Sequence, residues 1–344
     1  MAPVLDRPRV LERSRELVEP ALRAAVGELH PWPRRMASYA LGWCDADGVP
    51  LPGGGGKGVR PALVVLGTEA VGVAAEHAVP AAVAVELVHT FSLVHDDVMD
   101  GDERRRHRAS AWQAFGTGPA VLAGDALFAL AVETLAGGGR HGAAAVRRVG
   151  AALRELVAGQ ADDLLFEDRP WTGPEAVAVA EYEAMAAGKT GSLLACALAL
   201  GPVLGGAPAP LVEVLARAGR ELGTAFQAVD DLLGIWGDPA ATGKPVLADL
   251  VRGKKTLPVL AALAAGTAAS RRLAVLLGAG TALDPATAAE AAVLVEEAGG
   301  RQFALDRARG CADAAREYFT HAPFRQEVVG ELLELTDFLV DRRL

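Results

Sequence analysis

The chain has 344 residues, of which 51% are hydrophobic and only 5% aromatic, with 39 glycines and a formal net charge of −9 at pH 7. Such a composition supplies a core of small side chains for one large all-helical domain or two ordinary ones. The acidic balance speaks against nucleic acid as a partner and still allows a local basic pocket for a small anion. Cys44, Cys196 and Cys311 are too widely spaced for a metal motif or a disulfide framework, which suits a reducing compartment and leads us to expect a cytoplasmic protein.

The opening stretch, MAPVLDRPRVLERSRELVEP, mixes acids and bases without an apolar run and does not read as a signal peptide. Val10, Leu11, Leu17, Val18, Leu22 and Val26 recur at roughly helical spacing, so an amphipathic helix is expected over 8–29. HPWP should interrupt it before a short helix over 34–44. The stretch 45–58, DADGVPLPGGGGKG, reads as a loop. Taken by itself it is either a linker or an anion cradle, with Lys57 and Arg60 supplying positive charge. Pro61 suits the first turn of a helix over 61–74. The next helix, over 78–99, packs on Val79, Val83, Leu87, Val88, Phe91 and Val94, and it also carries His89 and His95.

That helix ends in the densest chemistry of the chain, FSLVHDDVMDGDERRR over Phe91 to Arg106. Asp96 and Asp100, four residues apart, share one helix face with Asp97 beside them. Such a cluster is costly by itself, and a hard divalent cation, Mg²⁺ beneath a phosphorylated substrate, would offset the repulsion. Arg104, Arg105, Arg106 and Arg108 follow, so carboxylates on one side and guanidiniums on the other suit a diphosphate.

Helices are expected over 119–136, over 141–165 with Gln160, Asp162 and Asp163, and over 175–187. Gly188-Lys189-Thr190-Gly191 should interrupt or bend a long apolar segment. A lysine there is expensive unless it meets an anion or solvent. The uncharged stretch Gly191 to Val212 is long enough to raise the question of a membrane. It holds Pro202, Pro208 and Pro210, however, so a buried helix and a turn are expected rather than a membrane span. The second acidic motif is FQAVDDLLGIWGD, with Asp230 and Asp231 near a helix end, followed by Lys244, Asp249, Lys254 and Lys255. Two acidic clusters, each followed by bases, are either solvated helix ends or the two walls of a cavity that holds metal ions and a diphosphate. The rest of the chain, 258–344, reads as helices between Gly- or Pro-containing turns, closing on Arg342 and Arg343. Neither βαβ alternation nor a Walker lysine motif is present.

Several of these segments together resemble the trans-isoprenyl diphosphate synthases, or polyprenyl synthetases, from Gly54 to Pro258. They are GGKGVRP at 55–61, ELVHTFSLVHDDVMD at 86–100 with RRR behind it, GDALF, GQADD, GKTG, FQAVDDLLGIWGDP, TGKP and GKKTLP. The resemblance implies an all-α isoprenoid synthase fold, a single domain over 1–344 with helices around a deep central active-site cavity, and a homodimer. It further implies Mg²⁺-dependent head-to-tail condensation of isopentenyl diphosphate with an allylic diphosphate. By the same resemblance Asp96, Asp97 and Asp100 on one side and Asp230 with Asp231 on the other are metal ligands. Arg105, Lys189, Lys244 and Lys254 would contact the allylic diphosphate. Lys57, Arg60, His89 and Arg106 would hold isopentenyl diphosphate, and Thr190 with Gln227 would steady the developing allylic cation.

Two positions depart from the pattern. The second motif reads DDLLG, which leaves Gly234 where a third aspartate is usual, and Gly58 stands where many members carry another arginine. Class I terpene cyclases share the scaffold, and a non-catalytic partner subunit would tolerate such losses. The joint presence of Lys57, Arg60 and His89 points to condensation instead. Enzymes resembling this one grow the product beneath the first acidic motif, so Phe91 is expected to act as a floor beside the small Ser92. A short product follows, C20 ahead of C15.

Overall fold

The computed structural model describes residues 7–51, 56–238, 246–278 and 283–341. Helix α1 (Arg9–Gly27) buries Val10, Leu11, Val18, Leu22 and Val26 along one stripe, as the spacing predicts. Helix α2 spans Pro31–Ala40, so HPWP starts this helix rather than merely separating two. The Nδ1 atom of His30 accepts from the backbone N–H of Trp32 at 3.3 Å, and Pro31 takes a first-turn position whose N–H would have no helical partner anyway. Helix α3 (Val59–Ala70) follows Gly58, and α4 covers Val79–Met99. A minimal antiparallel pair, β1 (Arg104–Arg105) with β2 (Arg108–Ala109), was not expected from the sequence.

Helices α5 (Ala111–Phe115), α6 (Thr117–Ala136), α7 (Gly142–Glu167) and α8 (Val179–Ala186) come next. One π-helical turn, Ala187–Gly191, joins α8 to α9 (Ser192–Leu204), so GKTG bends the apolar segment without ending it. Helix α10 (Ala209–Trp236) carries the second acidic motif near its C-terminal end. Beyond it lie α11 (Ala248–Val251), α12 (Leu257–Ala264), α13 (Ala268–Leu277), α14 (Pro285–Glu297), α15 (Gly300–His321) and α16 (Gln326–Val340). The architecture is all-α.

The chain divides into two compact units, neither of them continuous in sequence. The first comprises Met1–Ala151, Cys196–Ala216 and Phe319–Glu334. In it α4 is packed against α1, α3 and α6. Helices α3 and α9 meet backbone to backbone in this unit: a Cβ on Gly67 of α3 would overlap the carbonyl of Leu198 on α9. The second comprises Ala152–Ala195, Arg217–Tyr318 and Leu335–Leu344. One of its cores gathers Tyr182, Met185, Val229, Leu232, Leu257 and Ala304. Another gathers Ile235, Leu250, Val259, Leu273 and Val295.

Three stretches, Ala75–Met99, Thr117–Ala136 and Val179–Leu204, are long and apolar enough to cross a membrane by length and composition. In the first and third the most apolar windows are 61% and 67% buried in the fold, against 39% in the second, where Val121, Leu122 and Phe128 are exposed. The stretch singled out in the sequence, Gly191 to Val212, forms the buried α9 and then turns at Gly205 and Gly206 before α10.

Candidate active site

Within the first unit, Asp96 and Asp100 follow one another along the end of α4. The backbone N–H of Asp100 donates to the carbonyl of Asp96 at 2.8 Å, which keeps both on the same helix face. Asp97 behaves differently. Its carboxylate is buried and accepts from Nε of Arg105 at 2.6 Å and lies 2.6 Å from the Nη2 of the same guanidinium. Burial raises the Asp97 carboxyl above its usual value, with Arg105 opposing. Burial alone would lower Arg105, but the bond to Asp97 holds it above the ordinary guanidinium value. Asp97 therefore orients a cation.

Arg105 ends β1, and the loop to β2 is the two residues Arg106 and His107, both at positive φ (49° and 64°). Positive φ at both central residues is the geometry of a type I′ turn, which normally takes Asn or Gly. The tight turn fixes the register in which Arg105 and Arg106 leave the hairpin. Replacing the exposed His107 with Gly removes a left-handed Cβ, and the gain exceeds the added freedom of the unfolded chain. We expect His107→Gly to stabilise the protein by about 0.5–1 kcal/mol, read as a higher thermal midpoint.

Arg60 lies in the first turn of α3, and its Nη1 donates to Nε2 of His89 at 3.0 Å. An arginine has no acceptor, so His89 is neutral at Nε2. Burial, then Arg60 and Arg106, push the imidazolium far below its normal range. A Cβ on Gly56 would lie 2.9 Å from Nη2 of Arg106, so only glycine lets that guanidinium lie against the loop next to exposed Lys57. Lys57, Arg60, His89 and Arg106 thus form one basic neighbourhood. Gly58 also has a structural reason: it caps α3 at φ 70°, a conformation that an arginine would adopt only with strain.

The sequence reading did not single out Glu86, three residues before His89. It lines a cavity of about 360 Å³ with Arg106, Thr90 and Tyr39, and burial raises its carboxyl. The signal was available, because Glu86 is the one charge in the otherwise apolar VPAAVAVELV.

In the second unit, Lys189 sits on the π-helical turn and pairs with Asp163 of α7 at 2.5 Å. The costly lysine has found its anion. Thr190 Oγ1 donates to Oε1 of Gln227 at 2.7 Å, and Nε2 of Gln227 donates to Oδ1 of Asp231 at 2.9 Å. The other oxygen of Asp231 accepts from the Tyr182 hydroxyl at 2.5 Å and from the backbone N–H of Leu257 at 2.9 Å. Burial pushes the Asp231 carboxyl up to about 7, against the hydrogen bonds that hold it down. Asp230 is exposed, whereas Asp231 is engaged on both oxygens. Lys254 is half-buried, with its backbone N–H on the carbonyl of Asp249 at 2.9 Å. Lys244, Arg342 and Arg343 lie outside the described residues.

Phe91 does not point with Asp96. It stacks edge-on against His95 at 4.8 Å and lies 5.7 Å from Phe128 of α6. Ser92, four residues before Asp96 and so on its face, is buried with Oγ donating to the carbonyl of His89 at 2.9 Å.

The polyprenyl synthetase family model matches residues 50–293, which contain every element of both acidic motifs. The chain belongs to the polyprenyl synthetase family. It is 45% identical over 339 residues to a (2E,6E)-farnesyl diphosphate synthase of Mycobacterium tuberculosis, covering 97% of this chain and 93% of that protein. A geranylgeranyl diphosphate synthase of the same organism is 44% identical over 306 residues, covering 88% and 85%. The crystal structure of a polyprenyl synthetase from Streptomyces coelicolor A3(2) superposes with a TM-score of 0.91 at 49% identity, covering 97% of this chain and 100% of that one. This polyprenyl synthetase is accordingly a prenyltransferase with the all-α isoprenoid synthase fold.

The acidic motifs of the synthetase offer only hard carboxylate oxygens, the donor set that Mg²⁺ prefers. Among the described residues, no three His, Cys, Asp or Glu side chains converge on a single metal position. Mg²⁺ is commonly held through one or two carboxylates, with water and substrate phosphates completing the shell. Asp96 and Asp100 in the first unit and the exposed Asp230 in the second suit that role. Asp97 and Asp231 are engaged by hydrogen-bond donors. Gln160 of the GQADD segment is buried with neither side-chain nitrogen nor oxygen hydrogen-bonded among the described residues.

Proposed function

We propose that this synthetase joins isopentenyl diphosphate head-to-tail to an allylic diphosphate in a Mg²⁺-dependent reaction. It gives a short trans-prenyl diphosphate, C20 ahead of C15, and works as a cytoplasmic homodimer. The observation that carries the reading is the basic neighbourhood of Lys57, Arg60, neutral His89 and Arg106. A cyclase that consumes one allylic diphosphate has no need of a second anion site of this kind.

Mg²⁺ on Asp96, Asp100 and Asp230 would neutralise charge on the departing diphosphate when bound. Arg105, held rigid by Asp97, presents its remaining N–H groups to the same group, and Lys189, Lys244 and Lys254 add positive charge. Arg60, oriented by its bond to His89, binds the diphosphate of isopentenyl diphosphate together with Lys57 and Arg106. The Thr190 hydroxyl donates its hydrogen bond to Gln227, which is itself polarised through Asp231, so the Thr190 oxygen presents lone pairs to a developing allylic cation. Tyr182 and the Leu257 N–H fix the far end of that chain, and Asp231 serves it as an anchor as well as a metal-side carboxylate. The proton lost at the end goes to the released diphosphate.

For product length, the small Ser92 lies on the Asp96 face while Phe91 is turned towards His95 and Phe128. That placement favours C20, since the small side chain rather than the ring lies in line with the metal ligands. Product analysis with Mg²⁺ and isopentenyl diphosphate, using dimethylallyl, geranyl and farnesyl diphosphates separately, tests the reading. We expect a C20 diphosphate that depends on isopentenyl diphosphate. Conversion of an allylic diphosphate alone identifies a cyclase, and inactivity in every mixture identifies a partner subunit.

A further inference from the structure

Helix α4 presents a second face. Glu86, Thr90, Leu93, Val94 and Asp97, spaced by three and four residues, border the cavity of about 360 Å³. His89, Ser92 and Asp96 each stand one residue before a bordering position and so are turned from it by about 100°. None of the three borders the cavity. The cavity therefore lies to one side of the reaction face, within the first unit, and approaches the basic neighbourhood at Arg106 and Gly56.

Its volume falls in the ~300–1,000 Å³ range of small-molecule sites. The walls carry Val18 and Leu22 of α1, Leu41 and Leu51, and the aromatic residues Tyr39 and Trp43. Most of the charges around it are already matched. Arg15 pairs with Glu19 at 3.0 Å and Arg105 with Asp97 at 2.6 Å. The guanidinium of Arg108 lies 4.1 Å from the centre of the Tyr39 ring and donates to the carbonyl of Cys44 at 2.7 Å. Arg106 is balanced at longer range by Glu86 and Asp97.

Glu86 is the exception at close range. Among the described residues its carboxyl makes neither a hydrogen bond nor an ion pair, and burial raises it while Arg60 and Arg106 oppose from a distance. An acceptor left without a donor in a largely apolar chamber is costly. A charged ligand would upset the balance of the walls, whereas a single O–H or N–H would supply the missing donor.

We propose that this cavity is a binding site, separate from the reaction face of α4, for a small uncharged apolar molecule that carries one O–H or N–H donor, with Glu86 as its acceptor. The ligand would rest against Arg105, which places it next to the proposed allylic diphosphate site without entering it.

The test uses 1-octanol and its isostere 1-methoxyheptane, which lacks the donor, titrated into the full-length protein and followed by saturation-transfer NMR. 1-Octanol should bind about 10-fold or more tightly than the ether, and Glu86→Met should abolish that preference. Val18→Phe and Leu22→Phe push a ring into the cavity from α1. Each should weaken 1-octanol by about 10-fold or more, with native helix content and parent turnover as the check on the fold. Saturation with geranyl diphosphate and Mg²⁺ should leave one 1-octanol bound per chain. Equal affinity for alcohol and ether, or a preference that survives in Glu86→Met, overturns the inference. So does native 1-octanol affinity in a well-folded Val18→Phe or Leu22→Phe, or displacement of 1-octanol by geranyl diphosphate, which would place the alcohol on the reaction face.

Discussion

Asp96→Ala is expected to lower kcat with Mg²⁺ by about 1000-fold, the equivalent of about 4 kcal/mol of lost transition-state stabilisation. Folding should hardly notice. Asp96 lies in the last turns of α4, outside the apolar contacts that seat the helix, and alanine is the better helix former. The melting temperature should stay within about 2 °C of the parent. Steady-state kinetics beside a thermal melt separates the two effects, and near-normal turnover in Asp96→Ala would show that this carboxylate is not a metal ligand. Asp97→Ala is the informative contrast. It releases the Arg105 guanidinium from the Asp97 carboxylate, so its damage should fall on binding of the allylic diphosphate as well as on turnover.

Gly159→Val should be among the most damaging single changes for stability. Gly159 lies on α7 against the π-helical turn. A Cβ there would overlap the backbone N of Lys189 and lie 2.8 Å from the carbonyl oxygen of Met185 and 2.9 Å from the carbonyl carbon of Gly188. All three neighbours are backbone, so none can rotate aside. We expect a loss of about 3 kcal/mol or more, the upper range for overpacking. Asp163 is one helical turn further along the same face of α7, and its ion pair with Lys189 depends on this close approach. The variant should therefore also raise the KM for the allylic diphosphate. Asp163→Asn, which breaks a part-exposed pair without moving backbone, should cost at most about 1 kcal/mol. Thermal melts of the two variants check the ranking, and equal melting temperatures would rule out backbone contact as the source of rigidity.

The residue types and spacings were enough to predict an all-α chain, the helix ending in Asp96 and Asp100, and the segments that place it among the polyprenyl synthetases. Helical periodicity and the i to i+4 relation are local, so they can be read without a fold. The same holds for the break between α1 and α2 around HPWP and for the turn after α9. The hairpin around Arg106 and His107 escaped because neither residue carries a turn signal; their positive φ is imposed by the strands they join.

The division of labour among the aspartates was not legible. Asp96 and Asp97 are neighbours in sequence, as are Asp230 and Asp231, and nothing in their spacing says which donors Asp97 and Asp231 meet. Asp97 is engaged by Arg105 across a hairpin, and Asp231 by Tyr182 and Leu257, 49 and 26 residues away. Burial and distant hydrogen-bond partners make that choice, and both exist only once helices have packed. The sequence by itself determined which carboxylates and cations the enzyme owns; only the tertiary structure decided which donors hold Asp97 and Asp231, because those bonds join segments that no local pattern relates.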